Sequence, residues 1–213
     1  MALSVTFPLT VFAPWRSLTN AQVQRAKWVL VALGMLPLAR MLIGLPLGWL
    51  GVNPIEFVTR STGTWTIVSL VVTLSITPLR NITGWVWLVR LRRSAGLITF
   101  FYAALHFITY VWLDRFFDVN DIIKDIIKRP FITVGFAAFV LLIPLAITSN
   151  NALIKKLGAQ NWQRLHNLVY VIAILAVVHF IWLARRNPIE PYIYAAIFAL
   201  LFAARIYWRF KAK

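Results

Sequence analysis

Residues Leu157–Trp182, LGAQNWQRLHNLVYVIAILAVVHFIW, decide the fold. A polar opening gives way at Leu168 to a stretch without Asp, Glu, Lys or Arg that runs to Ala184. A helix needs about 20 predominantly apolar residues to cross a hydrocarbon core of about 30 Å, so this stretch is read as a membrane span. Two histidines lie in the segment, His166 at its entrance and His179 deep inside, thirteen residues apart.

Working outward, five more stretches have the same character, and the expected spans are Trp28–Leu50, Trp65–Leu79, Gly96–Leu113, Phe131–Thr148, Leu168–Ala184 and Tyr192–Trp208. The second is short and is expected to extend back toward Arg60 through Ser61–Thr64. Composition agrees. The chain is 61% hydrophobic and 13% charged, against roughly 45–50% and about 25% in soluble domains. Its mean hydropathy is +0.77. The expected fold is an all-α bundle of six transmembrane helices (27–213) behind an N-terminal cytoplasmic or interfacial arm (1–26). That arm has no charged start and no small-residue cleavage site, so it is not read as a cleaved signal peptide. Trp15 and Arg16 suit the headgroup level.

The net charge of +16 has a topological explanation. Arg16, Arg25, Lys27, Arg80, Arg90, Arg92, Arg93, Lys155, Lys156, Arg164, Arg205, Arg209, Lys211 and Lys213 all fall on one side of the six spans, with no acidic residue among them. On the other side Arg60, Arg115, Lys124, Lys128, Arg129, Arg185 and Arg186 are nearly balanced by Glu56, Asp114, Asp118, Asp121, Asp125 and Glu190. Lys and Arg stay cytoplasmic, so both termini are expected there. No soluble face exists on which the charge could bind nucleic acid. In the acidic loop Asp114–Pro130, the apolar residues Phe116, Phe117, Ile122, Ile123, Ile126 and Ile127 predict a short amphipathic helix on the outer surface. It would serve as a solvated connector or as a docking face for a periplasmic partner.

Cysteine is absent, which excludes disulfides and thiolate metal sites. Chemistry therefore falls to the three histidines, His106, His166 and His179. An ionisable group inside a span is a functional hypothesis by default, although a single histidine can be satisfied simply by a carbonyl of a neighbouring helix. Depth argues for more. His106 follows Arg93 by thirteen residues and His179 follows His166 by thirteen, each a rise of about 19.5 Å on helices running the same way. Both should lie toward the outer leaflet, placed as a bis-imidazole pair for one haem iron, with His166 near the inner leaflet. On an ideal helix His166 and His179 would point roughly 140° apart, so a bend or rotation must reconcile them if both face the same bundle interior. Zinc would want three or four close ligands, which this spacing does not offer.

At these histidines the sequence resembles the MsrQ (YedZ) family, the haem-containing membrane subunits of methionine-sulfoxide reductase systems within the ferric-reductase-like transmembrane group. The stretches that carry the resemblance are NPIEFVTRSTGTW at Asn53–Trp65, TPLR at Thr77–Arg80, LRRSAGLITFFYAALHFITY at Leu91–Tyr110, KRPFITVGF at Lys128–Phe136 and the opening segment. The resemblance implies b-type haem, FMN alongside it, and a bacterial inner-membrane location. Electrons would arrive from the quinone pool or a cytoplasmic flavin reductase. They would leave to a periplasmic molybdenum enzyme, MsrP, which reduces methionine sulfoxide in oxidised proteins. In the wider group four histidines hold two stacked haems. Here the position that would pair with His166 falls near Arg92 or Arg93, and arginine stays protonated, so the inner site needs another ligand or another redox group. The chain has no dinucleotide-binding glycine fingerprint and is not expected to bind NAD(P)H.

Four arginines are candidates for the cofactor's acidic groups: Arg40 in the first span for an outer haem propionate, and Arg92, Arg93 and Arg164 for a flavin phosphate or inner propionate. Their bland readings are snorkelling for Arg40 and contact with anionic lipid for the others. Trp87, Trp112, Trp162 and Trp182 are read as interfacial anchors. The rival functions are a small transporter or channel without a redox cofactor, or a purely structural anchor. No inverted repeat supports the former, although Pro37, Pro46 and Pro144 could break helices. The latter leaves His106 and His179 unexplained.

Overall fold

In the computed structural model, residues 17–184 and 189–211 are described. Nine α-helices follow in order: α1 (Asn20–Gly44), α2 (Pro54–Thr83), α3 (Arg92–Thr109), α4 (Val119–Lys128), α5 (Pro130–Ile147), α6 (Asn151–Leu157), α7 (Ala159–His166), α8 (Leu168–Leu183) and α9 (Ile189–Lys211). A 3₁₀ segment, Val86–Leu91, leads into α3 and a π turn, Tyr110–Asp114, closes it. Six helical stretches are long and apolar enough to cross a membrane: α1, α2, α3 with its flanking turns, α5, α7 continued by α8, and α9. The chain is an all-α, multi-pass membrane protein. An even number of crossings puts both described termini at one end of the bundle, here the terminal end. The other is the far end.

α2 lies along α3, and α5 along α8; α3 and α5 join the two pairs, α9 fills the groove between α2 and α8, and α1 leans on α3. The main core follows from this arrangement, with Leu70 and Leu74 of α2, Ala103 of α3, Leu142 of α5, Ala173 of α8 and Phe198 of α9 in one cluster. Close approach of α1 to α3 depends on Gly34, where a β-carbon would fall 2.9 Å from Ile98 Cδ1. Tyr102 of α3 donates its hydroxyl proton to the Gly34 carbonyl at 2.6 Å.

Hydropathy placed the second span at Trp65–Leu79, with an extension to Arg60, but α2 runs from Pro54 to Thr83. Its start is built by Asn53, whose side chain accepts from the Glu56 N–H, with Pro54 at the first helical position. Four hydroxyls along it return their protons to the helix: Thr62 to Val58 O, Thr66 to Thr62 O, Ser69 to Trp65 O and Thr73 to Ser69 O, at 2.7–2.9 Å. A hydroxyl satisfied in this way costs little in lipid, whereas an unsatisfied one costs several kcal/mol.

The outer-surface helix is shorter than the pattern suggested. Phe116 and Phe117 do not share its face. They have positive φ values of 46° and 62° and form the turn before α4. For bulky residues that conformation is strained, and both rings stay exposed. Within α4, Asp125 is buried and receives Arg115, Arg129 and the Tyr110 hydroxyl, which pins α4 to the end of α3. α1 starts at Asn20, capped by Thr19, and so takes in the last residues of the expected arm. Trp15, Arg16, Arg185, Arg186 and Lys213 lie outside the described residues.

Candidate functional site

His106 projects from α3 and His179 from α8, and the fold sets their rings face to edge, 6.2 Å between centroids and 72° between planes. Each ring is tied to the helix its own helix lies along. His106 Nδ1 is 2.9 Å from the Thr59 carbonyl oxygen on α2, and His179 Nδ1 is 2.7 Å from the Phe131 carbonyl oxygen on α5. A carbonyl only accepts, so in both rings Nδ1 carries the proton and Nε2 keeps its lone pair. That is the tautomer of a metal-binding imidazole whose orientation is set by a second, hydrogen-bonded group.

The same device recurs four residues beyond each carbonyl. A β-carbon at Gly63 would sit 3.1 Å from His106 Cε1, and one at Gly135 would sit 2.7 Å from His179 Nδ1. Only glycine lets the imidazole lie flat enough against the helix to reach the carbonyl one turn back. α2 with α3 and α5 with α8 thus carry matching units, a carbonyl, a glycine and a histidine. The sequence signal at both places is a glycine inside a span, Gly63 between two threonines and Gly135 in an apolar run, a sign of close backbone approach.

At the terminal end His166 closes α7. The helix is interrupted at Asn167, whose N–H returns to the Gln163 and Arg164 carbonyls, before α8 begins. This interruption lies between His166 and His179. His166 is handled differently from the far pair. Thr148 gives its hydroxyl proton to the Pro144 carbonyl at 2.6 Å, so at 3.1 Å it can only accept from His166 Nε2–H. Trp162 stacks on the imidazole, 3.9 Å between centroids, and donates Nε1–H to the Thr148 carbonyl. Trp162 is therefore a wall of this site and not merely an interfacial anchor.

A cavity of about 350 Å³ opens beside His166 among α2, α3, α5, α8 and α9. Arg92 and Arg93 line it, as do Trp162, Tyr170 and Arg205. Arg92 donates to Thr77 Oγ1 and Arg93 to Asn151 Oδ1. Arg164 is exposed and is not among the lining residues, and Arg40 is exposed on α1. Arg205 had been counted only as part of the charged terminal segment.

These residues fit haem better than a bare metal ion. A zinc site wants three or four converging ligands, and among the described residues no three His, Asp or Glu side chains converge. Two facing imidazoles are enough for haem. Their 6.2 Å separation leaves room for one metal atom bonded to a nitrogen of each ring at about 2 Å.

Comparison with known proteins bears on the same segment. Residues 62–177 match the family described as ferric reductase like transmembrane component. Relatives named protein-methionine-sulfoxide reductase heme-binding subunit MsrQ align over nearly the whole chain. The one from Herminiimonas arsenicoxydans is 52% identical, covering 90% of this chain and 89% of its own length. The chain belongs to the MsrQ family. MsrQ from Ralstonia nicotianae is 50% identical, with coverage of 87% and 85%. MsrQ from Azospira oryzae is 48% identical, with coverage of 91% and 83%. No solved structure matches the chain.

Proposed function

We propose that this protein is a haem-binding electron-transfer subunit of a methionine-sulfoxide reductase system, with His106 and His179 as the two axial ligands of one b-type haem. The observation that carries the proposal is the paired seat. Two imidazoles face each other across the bundle, each with Nδ1–H on a carbonyl and its ring against a glycine. The names of the MsrQ relatives, heme-binding subunits of such a reductase, support it.

Haem bound there would supply a one-electron iron couple. The chain's own residues do the rest. Thr59 and Phe131 hold the ring orientation and keep Nε2 basic, as hydrogen bonding behind a ligand does. Phe107, Phe136 and Phe139, packed with centroids 4.9–5.8 Å apart between α3 and α5, exclude water from this side.

His166 with Arg92 and Arg93 belongs to a second redox site, a further haem or FMN, in the cavity at the terminal end. Thr148 must release Nε2 if that nitrogen is to bind a metal. Arg40 and Arg164, both exposed, are assigned to lipid headgroups, where snorkelling places long basic side chains. The one-sided charge supports cytoplasmic termini in a bacterial inner membrane, with the His106–His179 pair on the periplasmic side. Electrons would enter from the quinone pool or a cytoplasmic flavin reductase and leave to MsrP, beside the α4 surface.

The test is the visible spectrum of the purified protein. A reduced-minus-oxidised difference with b-type bands is expected, and a colourless protein loaded with haem during expression would refute the proposal.

A further inference from the structure

Arg205 lies in the body of α9, six residues before the last described residue, and reaches across the bundle to α2. The reason begins at Pro78. Having no N–H, Pro78 leaves the Leu74 carbonyl without its helical donor. Arg205 Nη2 supplies one at 2.6 Å, while Nη1 donates to the Tyr170 hydroxyl at 2.9 Å. The guanidinium is thereby held against the wall of the His166 cavity, with its carbon 5.4 Å from the Tyr170 ring centre.

Charge balance at this place is incomplete. Arg92, Arg93 and Arg205 all line the cavity, and none of its lining residues is Asp or Glu. They donate to neutral acceptors: Thr77, Asn151, Tyr170 and Leu74. The ion pairs among the described residues lie at the far end, on α2, α4 and the turns beside α4. Moreover, the Nε atoms of both Arg92 and Arg205 are buried without a hydrogen-bond partner. Buried charge in a membrane is retained where it is paired, and an unmet guanidinium N–H selects a carboxylate or phosphate oxygen.

We infer that Arg205, together with Arg92, binds an oxyanion in this cavity, a carboxylate or phosphate of the group held there. The inference rests on the proposed second redox site for the identity of that group, but not for the oxyanion itself. Arg205 contributes a fixed charge whose direction is set by the Pro78 break.

The experiment compares the full-length protein with Arg205→Gln, Arg205→Lys and, as a control on the same helix, the exposed Arg209→Gln. Gln keeps an N–H donor for Leu74 and removes the charge. Haem is counted by its pyridine complex, flavin by acid extraction, and bound phospholipid by native mass spectrometry, with the far-end haem followed separately by redox titration. Arg205→Gln is expected to reduce occupancy of one bound group by about tenfold or more, as loss of a charge-assisted hydrogen bond does, with Arg205→Lys retaining most of it. Loss of haem from the terminal site alone identifies a carboxylate, loss of flavin a flavin phosphate, and loss of phospholipid with both chromophores intact a lipid phosphate. The last supports the oxyanion site while counting against the second redox site. Unchanged content of all three, or loss of the far-end haem in both Arg205 variants, overturns the inference. A haem-free wild type would refute the proposed function and leave the phospholipid measurement to decide this one.

Discussion

At the far end His106 and His179 direct Nδ1–H to main-chain carbonyls and lie against glycines, while at the terminal end His166 directs Nε2–H to a threonine hydroxyl and lies against a tryptophan. The difference is one of permanence. A carbonyl is part of the helix and can only accept, so the far pair is held in one tautomer with Nε2 exposed to a ligand. A hydroxyl can rotate or be replaced by another partner, so His166 is poised in a site with room around it, and the charge of that site comes from arginines. One end sets two rings against each other, 6.2 Å between centroids. The other is a cavity of about 350 Å³ lined by cations.

The comparison can be broken most directly at the far end. Replacing His106 or His179 by Ala should abolish the haem bound there while any chromophore at the terminal end remains, read by haem content and redox titration. A protein that lost only the terminal chromophore would reverse the assignment. The glycine seats should come next. Gly135→Ala places a β-carbon 2.7 Å from His179 Nδ1, closer than the 3.1 Å contact that Gly63→Ala makes with His106. The former should lower far-end haem content and shift its midpoint potential more than the latter, and equal or opposite effects would show that the seats do not set ring position. Overpacking of this kind typically costs about 1–3 kcal/mol.

A smaller effect is expected from Thr148→Val, which removes the acceptor for His166 Nε2–H and the bond to Pro144 while preserving shape. The change should be about 1 kcal/mol in thermal stability, with an altered terminal-end spectrum and an unaltered far-end one. Should the far-end spectrum move instead, the two sites are not independent. Smallest of all, Arg164→Gln should leave both chromophores and stability unchanged within about 0.5 kcal/mol, because the residue is exposed and outside the cavity lining. Arg92→Gln, measured beside it, should lower terminal-end occupancy.

Much of this was legible in the residues. The spans α5 and α8 match their expected bounds within one residue, since each is a continuous apolar run flanked by polar turns. The thirteen-residue spacing asked for a bend or rotation between His166 and His179, and the helix is interrupted at Asn167. α2 was underestimated because hydropathy counts its threonines and serines as polar, whereas the hydroxyls of Thr62, Thr66 and Thr73 give their protons back to carbonyls four residues earlier. Phe116 and Phe117 were misplaced because helical periodicity cannot see the left-handed backbone of the turn between α3 and α4. Arg205 was assigned by its place near the chain's end, though its position inside an apolar stretch, FAARIYW, was a visible signal that it had a partner within the bundle.

By itself the sequence determined six crossings, an all-α fold and which residue types are able to bind iron. These are properties of about 20 neighbouring residues at a time or of composition. Tertiary structure alone decided which nitrogen of each histidine is free, which glycines seat the rings and which arginine enters the cavity. Those depend on contacts such as His106 with Thr59 and Arg205 with Leu74, between residues 47 and 131 positions apart, and no local pattern encodes them.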